Sequence, residues 1–225
     1  MLFKNSQDDW EIDLPENIKT LGLKISGGAD SAIVCYMVAK YVTEERPDIT
    51  IHPITAVAST KPFQQIFADK VLRKVESLTG IEFATHQYRN IDSTTVENYI
   101  NQQSDLVDDV YASQGLQTHF SGLTANPTAE DAPELYDGAH ALPGSYGPND
   151  TDRSKSIEKK DNTFRPLINV DKKGVAEHYI TLGVLEEIFP LTRSCEEDNV
   201  FTFEAHCGDC WFCRERKWGF GGRLV

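Results

Sequence analysis

Between Leu21 and Cys35 a short apolar strand runs through two adjacent glycines straight into an apolar helix: Leu-Gly-Leu-Lys-Ile-Ser26-Gly27-Gly28-Ala-Asp30-Ser31-Ala-Ile-Val-Cys. Adjacent glycines let the backbone turn sharply and aim successive N–H groups at one spot, and the helix adds its own unpaired N–H groups and positive dipole end. The segment therefore reads as a cradle for phosphate or pyrophosphate. Ser26, Gly27, Gly28 and Ser31 are placed to donate N–H and O–H groups to phosphate oxygens, and Asp30 to hold Mg²⁺ against them. The plain alternative is an ordinary strand-to-helix turn in which Asp30 only caps the helix.

The flanking periodicity says what kind of sheet carries this turn. Ile18 to Ile25 reads as a strand and Ser31 to Val42 as a helix. Ile49 to Ala58 has the near-continuous apolar content of a buried parallel strand, and Phe63 to Leu78 has helical spacing that stops at Gly80. Ile81 to Gln87 is a third strand on its alternation, Thr94 to Ser113 a helix ending near Gly115, and Thr118 to Thr124 a fourth strand. Strand and helix alternate, which predicts an α/β fold with a doubly wound parallel sheet. Ligands in such folds bind beyond the carboxyl ends of the strands, where the Ser-Gly-Gly turn falls. The loop after the second strand, Ala56-Val-Ala58-Ser-Thr, reaches the same edge, and backbone groups at Ala56 and Ala58 are candidates for reading adenine.

Residues 126–162 carry prolines at 127, 133, 143 and 148, three glycines and no periodicity, so they read as a long inserted loop. Leu135, Tyr136, Leu142 and Tyr146 give it apolar surface to bury, which favours a lid or contact loop. Phe164 to Val170 is again extended, and Asp171 begins a helix reaching about Leu182.

Near its carboxyl end the chain reads Ser194-Cys195, a spacer, then Cys207-Gly-Asp-Cys210-Trp-Phe-Cys213. Four thiolates in this spacing suit one tetrahedral Zn²⁺. An iron–sulfur cluster takes the same number of cysteines, although closely spaced ferredoxin runs carry a proline after the last ligand. His206 adjoins the better-spaced Cys207 and is expected outside the ligand set. Cys35, on the apolar side of the first helix, is a core residue. The expected division is a nucleotide-binding domain over 1–190 and a four-cysteine zinc module over 191–225.

The chain has 225 residues, five cysteines and a formal charge of −13. That charge argues against direct binding of nucleic acid along its backbone and for a small substrate. An odd set of cysteines clustered at one end suits metal binding in a reducing compartment better than disulfides. Neither a signal-peptide core nor a membrane-spanning stretch is present in the sequence, so the expected location is the cytoplasm.

Ser26-Gly-Gly-x-Asp30-Ser31 resembles the signature of the PP-loop ATP pyrophosphatase superfamily, the adenine nucleotide alpha hydrolase-like enzymes, and differs from the P-loop pattern. Taken with Cys195, Cys207, Cys210 and Cys213, and with Phe164-Arg-Pro-Leu-Ile-Asn-Val-Asp171-Lys172 leading to Leu191-Thr-Arg-Ser-Cys195, the chain is similar to 7-cyano-7-deazaguanine synthases, the QueC branch. The tail Cys-Trp-Phe-Cys-Arg-Glu-Arg-x-Trp is similar to phage-borne members, whose products end in modified DNA guanines. The resemblance implies an ATP- and Mg²⁺-dependent C–N ligase of queuosine-type 7-deazaguanine biosynthesis. Its substrates are a 7-carboxy-7-deazaguanine-like acid and ammonia, and it works as a homodimer. Asp30 and Ser31 carry the catalytic positions, with Lys172 matching the family lysine that neutralises phosphate charge.

The family's Gly-Arg-Asn segment has no counterpart here, where the chain reads Thr94-Thr-Val-Glu-Asn-Tyr. Other PP-loop chemistries therefore stay open, namely an amide-forming ligase or a tRNA thiolase, as does a non-catalytic nucleotide-binding module. Removing Asp30 is expected to stop pyrophosphate release and leave the fold intact.

Overall fold

The computed structural model describes residues 1–136, 162–195 and 206–224. A two-stranded antiparallel ribbon, β1 (Leu2–Phe3) and β2 (Trp10–Glu11), precedes the main sheet. Then follow β3 (Thr20–Lys24), α1 (Ala29–Glu45), β4 (Thr50–Ala58), α2 (Gln64–Thr79), β5 (Gln87–Ile91), α3 (Val96–Gln114), β6 (Thr118–Phe120) and β7 (Thr163–Phe164). The order closes with α4 (Lys172–Thr181), α5 (Leu185–Ile188) and α6 (Trp211–Gly219). All five strands of the main sheet are parallel, in the order β5-β4-β3-β6-β7. The order reverses between β3 and β6, the switch point at which a doubly wound sheet opens a crevice.

Alternation along β3 assigns the faces. Leu21, Leu23 and Ile25 join the main core with α1, α2 and α4, while Ile54 packs with α3 residues Leu106, Val107 and Val110 on the other side. Helix α1 is enclosed: eleven of its residues are buried, since the sheet, α2 and α4 all press on it. Gly22 faces α3, where an added Cβ would meet Leu116 Cδ1 at 2.9 Å.

The third strand departs from the sequence reading. Ile81 and Phe83 lie against the main core outside the ladder, and β5 begins only at Gln87, opposite Ile54. The apolar alternation at 81–83 covers the core without pairing, whereas the middle of the true edge strand, Tyr88 to Asn90, is exposed and shows no period. The extended stretch after Phe164 is likewise mostly turns.

The start of the long loop is ordered around Leu135, and Tyr136 sits edge-on to Trp211 with ring centroids 5.4 Å apart. Leu142 and Tyr146 lie outside the described residues. Helix α6 is fixed to the body, not appended loosely. Phe220 stacks on Phe189 at 4.0 Å, and Arg216, with no solvent exposure, donates to the Phe189 and Leu224 carbonyls at 3.0 and 2.7 Å and to the Thr192 and Ser194 hydroxyls at 2.9 and 3.0 Å. Among the described residues no helix is long and apolar enough to cross a membrane.

Candidate active site

The turn after β3 needs glycine at one position for folding and leaves the other open. Gly27 has φ +78°, and a Cβ there would stand 2.5 Å from Phe67 Cβ and 2.8 Å from the Ala68 nitrogen. Neither backbone nor space admits another residue. Gly28 has an ordinary φ of −80°, and the nearest atom to an added Cβ is Ser26 Oγ at 3.4 Å. Its missing side chain keeps clear the space above the loop. Ser31 braces the loop from within: its Oγ accepts from the Ser26 N–H at 3.2 Å and donates to the Gly28 carbonyl at 3.1 Å. Gly122, after β6, fits only as glycine, because a Cβ would lie 2.6 Å from the Ser31 nitrogen.

Lys172, the first residue of α4, is buried and reaches back to this loop. Its Nζ lies 2.6 Å from each carboxylate oxygen of Asp30 and 3.4 Å from Glu215 Oε2 on α6. Burial works against the ammonium, yet the two carboxylates outweigh it and raise its pKa. Burial pushes Glu215 up to about 7; Lys172 pulls the other way, and Asp30 adds to the rise. Asp171 caps α4, accepting from the Lys173 and Gly174 N–H groups at 2.8 and 3.2 Å, and so sets the direction of Lys172.

Two cavities flank the loop. The larger, about 270 Å³, opens at the switch point between Ser26, Gly28, Asp30 and Ser31 on one side and Ser121, Gly122 and Leu123 on the other, with Ala56, Lys24, Tyr99 and Gln103 completing the wall. The smaller, about 150 Å³, shares Ser26, Gly28 and Asp30 and adds Lys61, Lys172, Arg193 and Glu215. Ala56 thus lies at the candidate nucleotide cavity. Ala58 belongs to the scaffold of the next turn: its N–H donates to Gln64 Oε1 at 2.8 Å and its carbonyl accepts from the Lys61 N–H at 2.8 Å.

Arg193 escaped the sequence reading as a site residue. Its N–H donates to the Gly27 carbonyl at 2.8 Å, tying the loop to the segment before Cys195, and its guanidinium lies 4.4 Å from the centre of the Phe63 ring. The only sequence signal was an arginine between Thr192 and the first cysteine. Lys24 was missed too, although a lysine ending a buried strand was visible in the sequence.

Cys195, Cys207, Cys210 and Cys213 converge, their sulfurs all within 4.8 Å of one another and Cys207 and Cys213 3.8 Å apart. One tetrahedral ion held at about 2.3 Å from each sulfur places the sulfurs about 3.8 Å apart, so the quartet fits a single metal ion. A four-iron cluster puts each thiolate on a different iron and spreads them wider. Amides are aimed at the sulfurs: Cys207 N–H at Cys195 Sγ (3.4 Å) and Cys210 N–H at Cys207 Sγ (3.3 Å). His206 stands outside this group, its Nε2 accepting from the Ser194 N–H at 3.3 Å. Cys35 is fully buried in the core. Helix α6 joins both centres, since Cys210 and Cys213 stand at its start and Glu215 two residues on, while an added Cβ at Gly219 would come 2.5 Å from Lys172 Cγ.

No protein-family model matches the chain, and no curated protein matches it. Among solved structures it is similar to the U34-tRNA thiolase NcsA from Methanococcus maripaludis with its 4Fe-4S cluster, at 13% identity and a TM-score of 0.46, covering 92% of this chain and 72% of the thiolase. At that level the likeness carries no inference about chemistry. The class that the fold and site define is an α/β protein with a doubly wound parallel sheet, a glycine loop at its switch point and a four-cysteine cluster able to bind a metal.

Proposed function

We propose that this chain is a PP-loop enzyme that uses ATP to adenylylate a small acid, 7-carboxy-7-deazaguanine, and carries it with ammonia to the nitrile. The observation that carries this reading is the placement of Ser26–Ser31 at the switch point with buried Lys172 held against Asp30. That arrangement suits a triphosphate lying across the loop, its outer phosphates on the loop amides and the α1 N-terminus and its adenine against Ala56.

Asp30 would hold Mg²⁺ through its carboxylate, and the ion would neutralise phosphate charge when bound. Lys172 then exchanges one Asp30 oxygen for a phosphate oxygen, keeping its charge paired throughout. A carboxylate oxygen of the acid bonds to the α-phosphorus, and the bond to the bridging oxygen breaks with its electron pair going to pyrophosphate. Ammonia displaces AMP from the acyl carbon, losing a proton, to give the amide. A second ATP adenylylates the amide oxygen and releases a second pyrophosphate; AMP then leaves with that oxygen as the amide nitrogen gives up both its protons and the nitrile forms. Most of the work falls to positioning and charge neutralisation. For the cysteine quartet we propose Zn²⁺, which would join the segment ending at Cys195 to the start of α6.

The test is incubation with ATP, Mg²⁺, ammonium and 7-carboxy-7-deazaguanine, read by mass spectrometry and nucleotide assay. AMP with the nitrile supports the proposal. ADP, or ATP bound without turnover, removes it.

A further inference from the structure

The peptide that opens the glycine loop, between Ile25 and Ser26, is gripped at both ends. Its N–H donates to Ser31 Oγ at 3.2 Å, and its carbonyl accepts from the hydroxyl of Thr55 on β4. A peptide unit is planar, so whatever turns the carbonyl turns the N–H with it and shifts Ser26 against Ser31. Thr55 is buried, and behind it stands His86, in the segment leading to β5. His86 Nε2 lies 2.8 Å from Thr55 Oγ1, and its Nδ1 lies 2.8 Å from Oδ1 of Asp69 on α2. A line of hydrogen bonds therefore runs from α2 through His86 and Thr55 to the loop. Asp69, His86 and Thr55 line neither cavity beside that loop.

Counting donors places the protons on this line. A carbonyl can only accept, so the Thr55 proton points at Ile25 and Thr55 Oγ1 is left to accept from an N–H on His86 Nε2. A carboxylate can only accept as well, so Nδ1 also carries hydrogen. All four groups are joined only while the ring holds both protons. With one N–H left, the bond to the Asp69 carboxylate is the stronger one to keep, Nε2 becomes an acceptor, and Thr55 turns its hydroxyl from Ile25 to His86. The buried Ile25 carbonyl then loses this donor. Asp69 from α2, Thr55 from β4 and Tyr88 from β5, whose ring centre is 5.8 Å away, face the imidazole, and the charge among them is that of Asp69.

We infer that His86 is a positioning residue for the glycine loop, fixing the peptide between Ile25 and Ser26 through Thr55 while Asp69 clamps its own ring. The inference rests on the nucleotide-binding reading of that loop given above. His86 touches no phosphate itself; it keeps the Ser26 N–H aligned with Ser31 and so keeps the loop in the shape that meets one. Loss of a proton from His86 frees Thr55, and the loop loses that alignment. ATP affinity therefore falls as His86 gives up its proton.

NMR and calorimetry on the full chain test this across neutral pH. Both ring nitrogens of His86 are expected to carry hydrogen on the acid side, and the Ser26 amide signal to move as one is lost. ATP binding should weaken about tenfold over the same step, the scale of one hydrogen bond to a buried group. Thr55→Val should bind ATP about tenfold more weakly on the acid side and lack that step, and it carries the same titration of ATP itself, so the difference between the two chains isolates His86. Thr55→Ser keeps the hydroxyl and should restore both affinity and step. A His86 ring with a single N–H throughout overturns the inference, as does a Thr55→Val chain that matches the native affinity and pH profile. A native chain that takes up no ATP while its Ser26 amide still follows His86 sinks the adenylylation and leaves the hold of His86 on the loop standing.

Discussion

Lys172 Nζ sits 2.6 Å from both carboxylate oxygens of Asp30, a residue 142 positions earlier in the chain. This contact gives Asp30 a second duty. Asp30→Ala removes a metal-binding oxygen and also strands a buried ammonium with Glu215 alone, so the expectation of an undisturbed fold is revised. We expect loss of pyrophosphate release together with a stability loss of about 2 kcal/mol, below the full value for a buried pair because Asp30 is partly exposed. Asp30→Asn, which keeps an oxygen toward Lys172, should lose turnover with a smaller drop. Urea titration of both variants checks this; an unchanged midpoint for the alanine variant would remove the structural role.

The two loop glycines should separate folding from binding. Gly27→Ala meets Phe67 and a backbone that requires positive φ, and should lower stability by more than about 2 kcal/mol. Gly28→Ala meets nothing closer than 3.4 Å and should fold within about 0.5 kcal/mol of the native chain while losing affinity for ATP. Melting curves and nucleotide titrations distinguish the two. Equal stability losses would show that Gly28 is not reserved for a ligand.

Metal removal should reach the nucleotide loop. Cys210 and Cys213 stand at the start of the helix that carries Glu215 to Lys172. Cys210→Ser or a strong chelator is expected to release one Zn²⁺ per chain, lower the melting temperature and weaken ATP binding together. Elemental analysis beside calorimetry tests it, and full metal content with unchanged melting in the variant contradicts the ligand assignment.

Acid should unfold the protein through its buried histidines. Burial holds His119 and His178 at about 4, against an ordinary 6.5, and neither ring nitrogen of His178 has a hydrogen-bond partner among the described residues. Between those values the unfolded chain binds the extra protons, so stability is full above pH 6.5 and declines as pH falls toward 4. The decline should be roughly 2–3 kcal/mol for each group. His178→Leu should flatten its share of the slope in denaturation curves recorded from pH 7 to 4; an unaltered slope would mean His178 is charged when folded.

Lys24 predicts a slope of its own at alkaline pH. Its pKa of about 8 lies below the ordinary 10.5, so the folded chain releases this proton first and stability rises with pH between those values. Lys24→Met should be more stable than the native chain at pH 7, by about 1 kcal/mol, in urea titrations. A destabilised variant would show the ammonium to be structural.

Local chemistry made much of this protein readable. Two glycines between an apolar strand and an apolar helix could only turn sharply, and the alternation around them called for a parallel sheet with helices on both faces; the cysteine spacing likewise pointed to a group of four thiols able to bind a metal. These features depend on neighbours in sequence, because backbone conformation and short turns are set by adjacent residues. The edge strand was misplaced for the same reason, since its exposed residues carry no period to read.

Partnerships across the chain had no such signal. Asp30 with Lys172, Lys24 with Gln103, Arg193 with the Gly27 carbonyl, and Arg216 beneath the cysteine module join residues far apart in sequence, and neither spacing nor composition encodes which lysine meets which carboxylate. The sequence by itself determined the loop, the sheet class and the four cysteines that come together as a group able to hold a metal. The tertiary structure alone decided which charges are buried together, because that depends on where packing excludes water and leaves each ion only its nearest neighbours for compensation.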